Sequence, residues 1–209
     1  KMPEYITHKD KIILNLLKKY NCGGRLKVLD VGAGDKPMDK KLPQNMEYIT
    51  LDVDKNRKPD IIANLEEKLP IKKEEFDFVI ASEVLEHTIY PRKIIKELKR
   101  ITKKNGFIII SMPNEYNFYL RIKFLLGMQN NTEIPFRDDL YKNHIHKAKV
   151  KDLLKFYNKE FNVKEINYSW DSFSNKKLLQ KVDKIVYHLL MPFSKNLFSR
   201  SVIMIGRND

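Results

Sequence analysis

A glycine-containing turn follows the first apolar segment of the chain and could hold a ligand. Residues 28–31, Val-Leu-Asp-Val, form a short run that is apolar except for Asp30, as expected of a buried parallel strand. Gly32 and Gly34 follow directly, and glycine permits backbone angles and a close ligand approach that a side chain would obstruct. Two interpretations stay open at this point, a nucleotide-binding turn and an ordinary loop.

The spacing of this turn argues against a pyrophosphate site. A nicotinamide-type fingerprint needs a third glycine three residues after Gly34, where the chain has Pro37. The lysine-serine or lysine-threonine pair of a P-loop is also missing from the sequence. A nucleoside remains compatible, because Asp52, which ends the second apolar segment, can accept two hydrogen bonds from a ribose diol. Asn64 can pair with an adenine edge.

Alternating apolar segments and helical patterns predict the elements that position these residues. The clearest helical pattern runs from Pro91 to Gly106, with Ile94, Ile95, Leu98 and Ile101 on its buried face. Strand–helix alternation favours a doubly wound, mainly parallel α/β sheet. Four strands are predicted at Lys27–Val31, Met46–Leu51, Asp77–Ala81 and Phe107–Met112. Two later strands are predicted within residues 162–170 and 199–208.

The length and the absence of repeats or a linker predict a single domain over residues 1–209. An N-terminal helix is expected at about 7–20, because apolar residues there recur at helical spacing. Helical insertions are expected at about 114–145 and 174–198. The sequence leaves the oligomeric state open.

The net charge and the cysteine content indicate which binding partners and which cellular location to expect. The net charge is +13, but the lysines are scattered and no arginine-rich stripe with interleaved aromatic residues is present, so nucleic acid is disfavoured. Anionic lipid headgroups fit the charge equally well, and peripheral membrane contact is therefore kept as an interpretation. Cys22 is the only cysteine, which excludes an internal disulfide and favours a cytoplasmic location. No secretory signal or membrane-spanning run is recognised.

The motifs over residues 26–117 together resemble the class I S-adenosylmethionine-dependent methyltransferases, especially the type 11 group. The matching pieces are VLDVGAGD, YITLDVD and FDFVIASEVLEH. The resemblance implies a Rossmann-like fold with seven strands, an antiparallel last strand, and S-adenosyl-L-methionine as cofactor. The cofactor-binding residues it implies are Asp30, Gly32, Ala33 and Gly34 for the methionine part, Asp52 for the ribose, Asn64 and Leu65 near adenine, and Ala81 and Ser82 at the end of the next strand. Asp54 is the alternative ribose ligand.

The resemblance also suggests where the acceptor binds. A family histidine precedes the helix that leads to the sixth strand, and this chain has His144 and His146 there. Either histidine could be the catalytic base, which is needed only for a hydroxyl or a protonated amine. A structural role is an equal alternative. We expect a small-molecule acceptor of lipid, quinone or saccharide-linked character, because residues 178–190 carry an apolar helical stripe. This stripe could be a lid, a membrane contact or plain core.

Two other functions stay open. A metal-dependent RNA 3′-terminal 2′-O-methyltransferase would use Glu83, Glu86 and His87 with His144 or His146 to hold a divalent ion. The same EVLEH run is similar to that of many metal-free members, so the sequence favours a site without metal. The third function is a catalytically silent partner subunit that keeps the cofactor fold.

Overall fold

A seven-stranded sheet forms the centre of the computed structural model. Its strands are β1 (Leu26–Val31), β2 (Met46–Asp52), β3 (Ile61–Ile62), β4 (Phe76–Ser82), β5 (Thr102–Pro113), β6 (Asn162–Ser169) and β7 (Ser201–Arg207). They lie in the order β3-β2-β1-β4-β5-β7-β6. The pairs among β1 to β5 are parallel, whereas β7 is antiparallel to both β5 and β6. The predicted fold class, a mainly parallel doubly wound sheet with an antiparallel last strand, is confirmed.

The structure describes residues 7–34, 38, 41–128, 144–170 and 177–209, with only the backbone at 177–180, 182 and 183. The helices are α1 (His8–Lys19), α2 (Pro91–Ile101), α3 (Phe118–Leu125), α4 (Val150–Glu160), α5 (Lys177–Leu190) and α6 (Lys195–Phe198). The first predicted insertion contains α3, and the second contains α5 and α6. Within these insertions, residues 129–143 and 174–176 lie outside the described part of the chain.

The two faces of the sheet bury alternate residues of the same strands. Val28 of β1 faces Ile13 and Leu17 of α1 in one apolar cluster, whereas Leu29 and Val31 belong to the cluster on the other face. That second cluster includes the buried faces of α2 and α4. Because side chains alternate along a strand, helices on both sides are needed to bury this sheet. The core therefore holds β1, and the turn that follows it, in one place.

Helix α1 begins where its sequence provides a capping box. The Asp10 backbone N–H donates to Thr7 Oγ1 at 3.1 Å, and the Thr7 N–H donates to the Asp10 carboxylate at 3.1 Å. These bonds satisfy backbone donors at the start of a helix. The N-terminal helix expected at about 7–20 is thus present between Thr7 and Tyr20.

One predicted boundary is wrong. The helical pattern from Pro91 stops at Ile101 rather than near Gly106, and Thr102 begins β5. The pairing of β5 with β4 changes register after Phe76, so that residues 103–106 form an irregular segment. A Cβ atom on Gly106 would lie 2.8 Å from the Asp77 carbonyl oxygen. Gly106 therefore permits close strand approach and does not end the helix.

Candidate active site

Two glycines shape the turn after β1. Gly32 has φ +66° and Gly34 has φ +57°, angles that favour glycine. The Gly32 N–H donates to the Leu51 carbonyl at 2.7 Å, which holds the turn against the end of β2. A Cβ atom on Gly32 would lie 2.6 Å from Val84 Cγ2, and one on Gly34 would lie 3.0 Å from Arg57 Nη1. The turn is a side-chain-free cradle at the carboxyl edge of the sheet, with the buried Ala33 between the glycines.

Asp52 is placed directly beside this cradle. Its residue is 6% exposed, and its Oδ2 accepts a hydrogen bond from the Gly34 N–H at 3.3 Å. Its Oδ1 accepts from the Asp54 N–H at 2.9 Å. Asp54 itself caps a short turn by accepting from the Asn56 N–H at 2.9 Å. Asp52 and Asp54 are the two candidate ribose ligands, and of these it is Asp52 whose carboxylate contacts the glycine turn.

Arg57, which follows β2 in the same loop as Asp54, forms an ion pair with Asp52. Its Nη1 lies 3.5 Å from Asp52 Oδ2, and its Nε lies 3.6 Å from Asp54 Oδ2. The guanidinium is about half exposed, so the ion pair is largely screened by solvent. It can therefore be displaced by a ligand hydroxyl.

Asp30 is the most deeply placed carboxyl of the cradle. It is 3% exposed, and the Tyr48 phenol donates a hydrogen bond to its Oδ2. Burial raises the pKa of Asp30 to about 7, although the Tyr48 hydrogen bond acts in the opposite direction. Near neutral pH this carboxyl can therefore gain or lose a proton in response to a nearby charge.

The remaining residues predicted to bind the cofactor lie at the same edge. Asn64 and Leu65 follow β3, and the Ala63 N–H donates to the Asp52 carbonyl at 3.2 Å. The Asn64 Oδ1 accepts from the Glu66 N–H at 3.0 Å, which orients its amide. Ala81 is paired with Val31, and Ser82 with Ser111, so both end β4 next to the turn.

These residues fit a nucleoside carrying an amino-acid tail. A turn without side chains adjoins a buried carboxylate that can accept from a diol, and an oriented amide lies further along the edge. The structure thus brings all nine residues predicted for the cofactor to the carboxyl ends of β1, β2 and β4 and to the segment after β3.

A second group of polar residues follows β4. The donor atoms of Glu86, His87 and His144 all lie within 4.8 Å of one another. The rings of His87 and His144 meet edge to face with centroids 4.8 Å apart. The Ile145 and His146 N–H groups donate to the Glu86 carbonyl at 2.7 and 3.1 Å. These backbone bonds fasten the segment carrying His144 to the loop after β4.

The Glu86 side chain is completely buried, and His87 Nε2 lies 4.0 Å from its Oε1. It is 0% exposed, and within the described part of the chain neither carboxylate oxygen has a hydrogen-bond partner. Burial and then the charge of Glu83 raise the pKa of Glu86 well above its usual range. Glu83 differs from it, because the Ser111 hydroxyl donates to Glu83 at 3.2 Å and Lys9 Nζ lies 3.7 Å away.

Sequence reasoning missed Glu115. Its carboxylate is hydrogen-bonded to Nδ1 of His144, and the two side chains are 6% and 13% exposed. The only local signal was its place in the MPNEYN segment at the end of β5. His146 differs from His144, since its Nε2 is buried and has no partner among the residues described. Of the two candidate catalytic histidines, His144 is the one with an orienting carboxylate.

A cleft of about 780 Å³ adjoins this pair. Glu115 lines it together with α3 and the residues after that helix, including Leu120, Phe124 and Leu125. The side chains of Phe124 and Leu125 are 82% and 78% exposed. Arg121, Lys123 and Lys147 supply positive charge around it. The cleft therefore combines apolar walls with cations.

Helix α5 also exposes apolar side chains. Ile185 and Leu189 are 59% and 64% exposed, and Phe193 just beyond the helix is 83% exposed. For these residues the interpretation as plain core is wrong. Val186 of the same stripe is also exposed and Leu190 is partly buried, whereas the side chains of Leu178, Leu179 and Val182 lie outside the described part.

Comparisons with known proteins match part of this chain to a methyltransferase domain. Residues 29–110 match the model of a family described as a methyltransferase domain, of type 11. An uncharacterized protein of Methanocaldococcus jannaschii is 34% identical over 115 residues, which are 54% of this chain and 55% of that protein. The chain therefore spans about half the length of the curated relative it matches.

Solved structures share the fold over nearly the whole chain. A Bacillus halodurans protein has a TM-score of 0.60 at 16% identity, covering 93% of this chain and 98% of its own. An S-adenosylmethionine-dependent methyltransferase from Archaeoglobus fulgidus has a TM-score of 0.55 at 17% identity, covering 94% and 93%.

The chain therefore has the fold of solved S-adenosylmethionine-dependent methyltransferases, and its residues 29–110 match a methyltransferase domain. The resemblance predicted from the sequence is confirmed over residues 29–110, which match the type 11 methyltransferase domain model. The Archaeoglobus fulgidus protein is an S-adenosylmethionine-dependent methyltransferase, which agrees with the predicted cofactor. Among the described residues, no helix combines the length and apolar character needed to cross a bilayer.

Proposed function

We propose that this protein methylates a small-molecule acceptor of lipid, quinone or lipid-linked saccharide character. The observation that carries the proposal is the cleft lined by Glu115, because it joins apolar walls to the carboxylate that is hydrogen-bonded to His144, just beyond the carboxyl end of β5. Ligands of doubly wound sheets bind at this edge. The exposed apolar side chains of α5 and the net charge of +13 add support for an acceptor held at an anionic lipid surface.

Each group of residues has a defined part in this proposal. When bound, S-adenosylmethionine supplies an electrophilic methyl group carried by a sulfonium. Asp52 would accept hydrogen bonds from the ribose diol, the Gly32–Gly34 turn would lie against the methionine part, and Asn64 with Leu65 would adjoin adenine. Positioning and the exclusion of water are the main catalytic contributions to such a displacement. His144, oriented by Glu115, could take a proton from an acceptor hydroxyl.

The decisive experiment is a transfer assay with tritium-labelled methyl groups on fractionated cell extract. Lipid, quinone, saccharide, protein and RNA pools are separated before counting. Label in an organic-soluble pool is the expected result. Label confined to protein or RNA would contradict the proposed acceptor class, while cofactor binding without label in any pool would favour the catalytically silent partner subunit.

The two candidate catalytic histidines should differ in their effects. We expect His144→Gln to lower kcat by about 10²–10⁴, the usual contribution of a general base. His146→Gln should have a much smaller effect, because its Nε2 is buried and has no hydrogen-bond partner among the described residues, whereas the ring of His144 is oriented by Glu115. Steady-state kinetics on the labelled pool, with cofactor affinity measured by calorimetry, test this. Equal losses in both variants, or none in His144→Gln, would contradict the assignment.

The cleft makes its own prediction. Replacing Phe124 and Leu125 by serine removes two exposed apolar walls and should raise the acceptor KM about tenfold or more, at unchanged cofactor affinity. The comparison variant Ile185→Ser/Leu189→Ser removes two similarly exposed apolar residues from α5, the other surface that could contact the acceptor. A rise of KM in this variant alone would move the acceptor site from the cleft to α5.

The cluster of Glu86, His87 and His144 favours a second candidate function, the metal-dependent RNA methyltransferase. This cluster supplies three of the metal ligands that such an enzyme would use. Glu83, the fourth, accepts a hydrogen bond from the Ser111 hydroxyl and lies near Lys9 instead. Transfer to the 3′ end of RNA that is abolished by a chelator would establish this function.

We also infer a cytoplasmic location, which the lone cysteine supports.

A further inference from the structure

We propose that Lys9 and Glu83 together bind the charged amino-acid end of S-adenosylmethionine. Lys9 lies at the start of α1, and Glu83 directly follows β4. Lys9 Nζ is 3.7 Å from Glu83 Oε1, and the two side chains are 18% and 26% exposed. Lys9 lies outside residues 29–110, so the match to a methyltransferase domain assigns it no part in binding.

Glu83 belongs to the segment that contacts the glycine turn after β1. Ala81, two residues before Glu83, is paired with Val31, the last residue before the turn. Val84, the residue after Glu83, lies so close to Gly32 that a Cβ atom on this glycine would be 2.6 Å from Cγ2 of the valine. The chain on both sides of Glu83 therefore touches the part of the site predicted to hold the methionine end of the cofactor.

The Glu83 carboxylate is held in place by its own backbone and by β5. Its φ is +57°, in the left-handed region that residues other than glycine rarely adopt. The Glu83 N–H donates to the Ser111 carbonyl at 3.1 Å, and the Ser111 hydroxyl donates to Glu83 Oε1 at 3.2 Å. Backbone conformations of this rare kind are concentrated at functional sites. An ionised carboxylate accepts on both oxygens, so the bond from Ser111 leaves acceptor positions for an ammonium group.

Lys9 brings a positive charge to the same end of the sheet. Burial is the main cause of the raised pKa of Asp30, the Tyr48 hydrogen bond opposes it, and the charge of Lys9 also lowers this pKa. Asp30 lies two residues before the first glycine of the turn, so the Lys9 charge acts on the turn region as well as on Glu83. The capping box of Thr7 and Asp10 fixes the helix turn that carries Lys9.

The two charges are complementary to those of an α-amino acid. The amino-acid end of the cofactor carries an ammonium and a carboxylate on one carbon atom, so its opposite charges are also close together. Glu83 would accept hydrogen bonds from the ammonium, and Lys9 would donate to the carboxylate. A partly exposed ion pair contributes little stability, so Lys9 and Glu83 can turn to a ligand at small cost. The inference concerns the cofactor alone and does not depend on the acceptor class proposed above.

Three adenosine ligands separate the amino-acid end from the rest of the cofactor. They are S-adenosylmethionine, its decarboxylated form, which lacks only the carboxylate, and 5′-methylthioadenosine, which lacks the whole amino-acid end. Calorimetry on the full chain without acceptor measures each affinity. We expect Lys9→Met to weaken S-adenosylmethionine about ten- to a hundredfold, as for a lost charge-assisted hydrogen bond, and not to weaken the other two ligands. Glu83→Gln should weaken both ligands that carry the ammonium, but not 5′-methylthioadenosine.

The matched control is Lys11→Met, because Lys11 is an exposed lysine of the same helix. This variant should bind all three ligands as the parent does. Lys9→Arg keeps the charge and should retain most of the affinity. Asp52→Ala should give a different pattern, since the ribose is common to the three ligands and all of them should bind more weakly.

Several results would overturn the inference. They are unchanged S-adenosylmethionine affinity in Lys9→Met, an equal loss for 5′-methylthioadenosine, or no binding of S-adenosylmethionine by the parent. A lower thermal midpoint of Lys9→Met at unchanged affinity would make the pair a structural link between α1 and the end of β4. Circular dichroism monitors folding, and if Glu83→Gln unfolds, the Lys9 variants carry the test. The expected binding pattern without label in an organic-soluble pool would contradict the proposed function alone.

Discussion

Asp52→Ala is expected to weaken S-adenosylmethionine binding about ten- to a hundredfold. The carboxylate is buried beside the glycine turn, where Oδ2 accepts from Gly34 and Oδ1 accepts from Asp54. Hydrogen bonds from a ribose diol to an ionised acceptor contribute about 1.5–3 kcal/mol, which corresponds to that loss. Calorimetric titration of the purified protein measures it directly.

Asp54→Ala is the matched control for this prediction. Asp54 lies two residues away, is more exposed and uses its carboxylate to cap its own turn. Its replacement should change cofactor affinity little. If Asp54→Ala loses the affinity and Asp52→Ala retains it, the ribose assignment belongs to Asp54. The Arg57 side chain faces both carboxylates, so it provides the same background in both variants.

Local patterns predicted most of the sheet, because its strands bury continuous apolar runs. The predicted bounds of β1, β2 and β4 differ from the observed ones by one or two residues. The predicted end of α2 near Gly106 was wrong. The lysines after Ile101 are compatible with a helix, but these residues belong to β5 instead. Strand β3 has only two residues, too few for any periodicity to show.

The cofactor residues could be proposed from sequence because their geometry is local. A turn that needs two glycines, followed by an acidic residue at the end of the next parallel strand, has a readable spacing. The hydrogen bond to Asp30 could not be derived in this way, since its donor is Tyr48 of the neighbouring strand.

The second group of polar residues depends on contacts between distant segments. Glu115 and His144 are 29 positions apart, and no spacing rule connects them. His144 and His146 were equivalent by sequence and are distinguished by their partners. The complete burial of the Glu86 carboxylate is not indicated by the charged run EVLEH.

Asp30 makes the folding stability depend strongly on pH. The unfolded chain releases this proton near pH 3.8, whereas the native state holds it up to about 7. Between these values the native state binds more protons, so the free energy of unfolding falls as the pH rises, by up to about 1.4 kcal/mol per pH unit. Above about pH 7 this contribution no longer changes. The total is on the order of 4 kcal/mol for a fully buried group.

The variant Asp30→Asn isolates this contribution, because an amide keeps the shape and the Tyr48 hydrogen bond but does not titrate. Urea unfolding followed by circular dichroism at pH 5, 6, 7 and 8 gives the free energy of unfolding of both proteins. The variant should gain stability relative to the parent with each step up to about pH 7 and little beyond it. Taking the difference cancels the opposite contributions of Glu97 and Glu165, whose pKa values are lowered mainly by hydrogen bonds from Arg100 and Lys19. Parallel stability curves for the two proteins from pH 5 to 8 would show that Asp30 is ionised throughout and that its burial does not hold the proton.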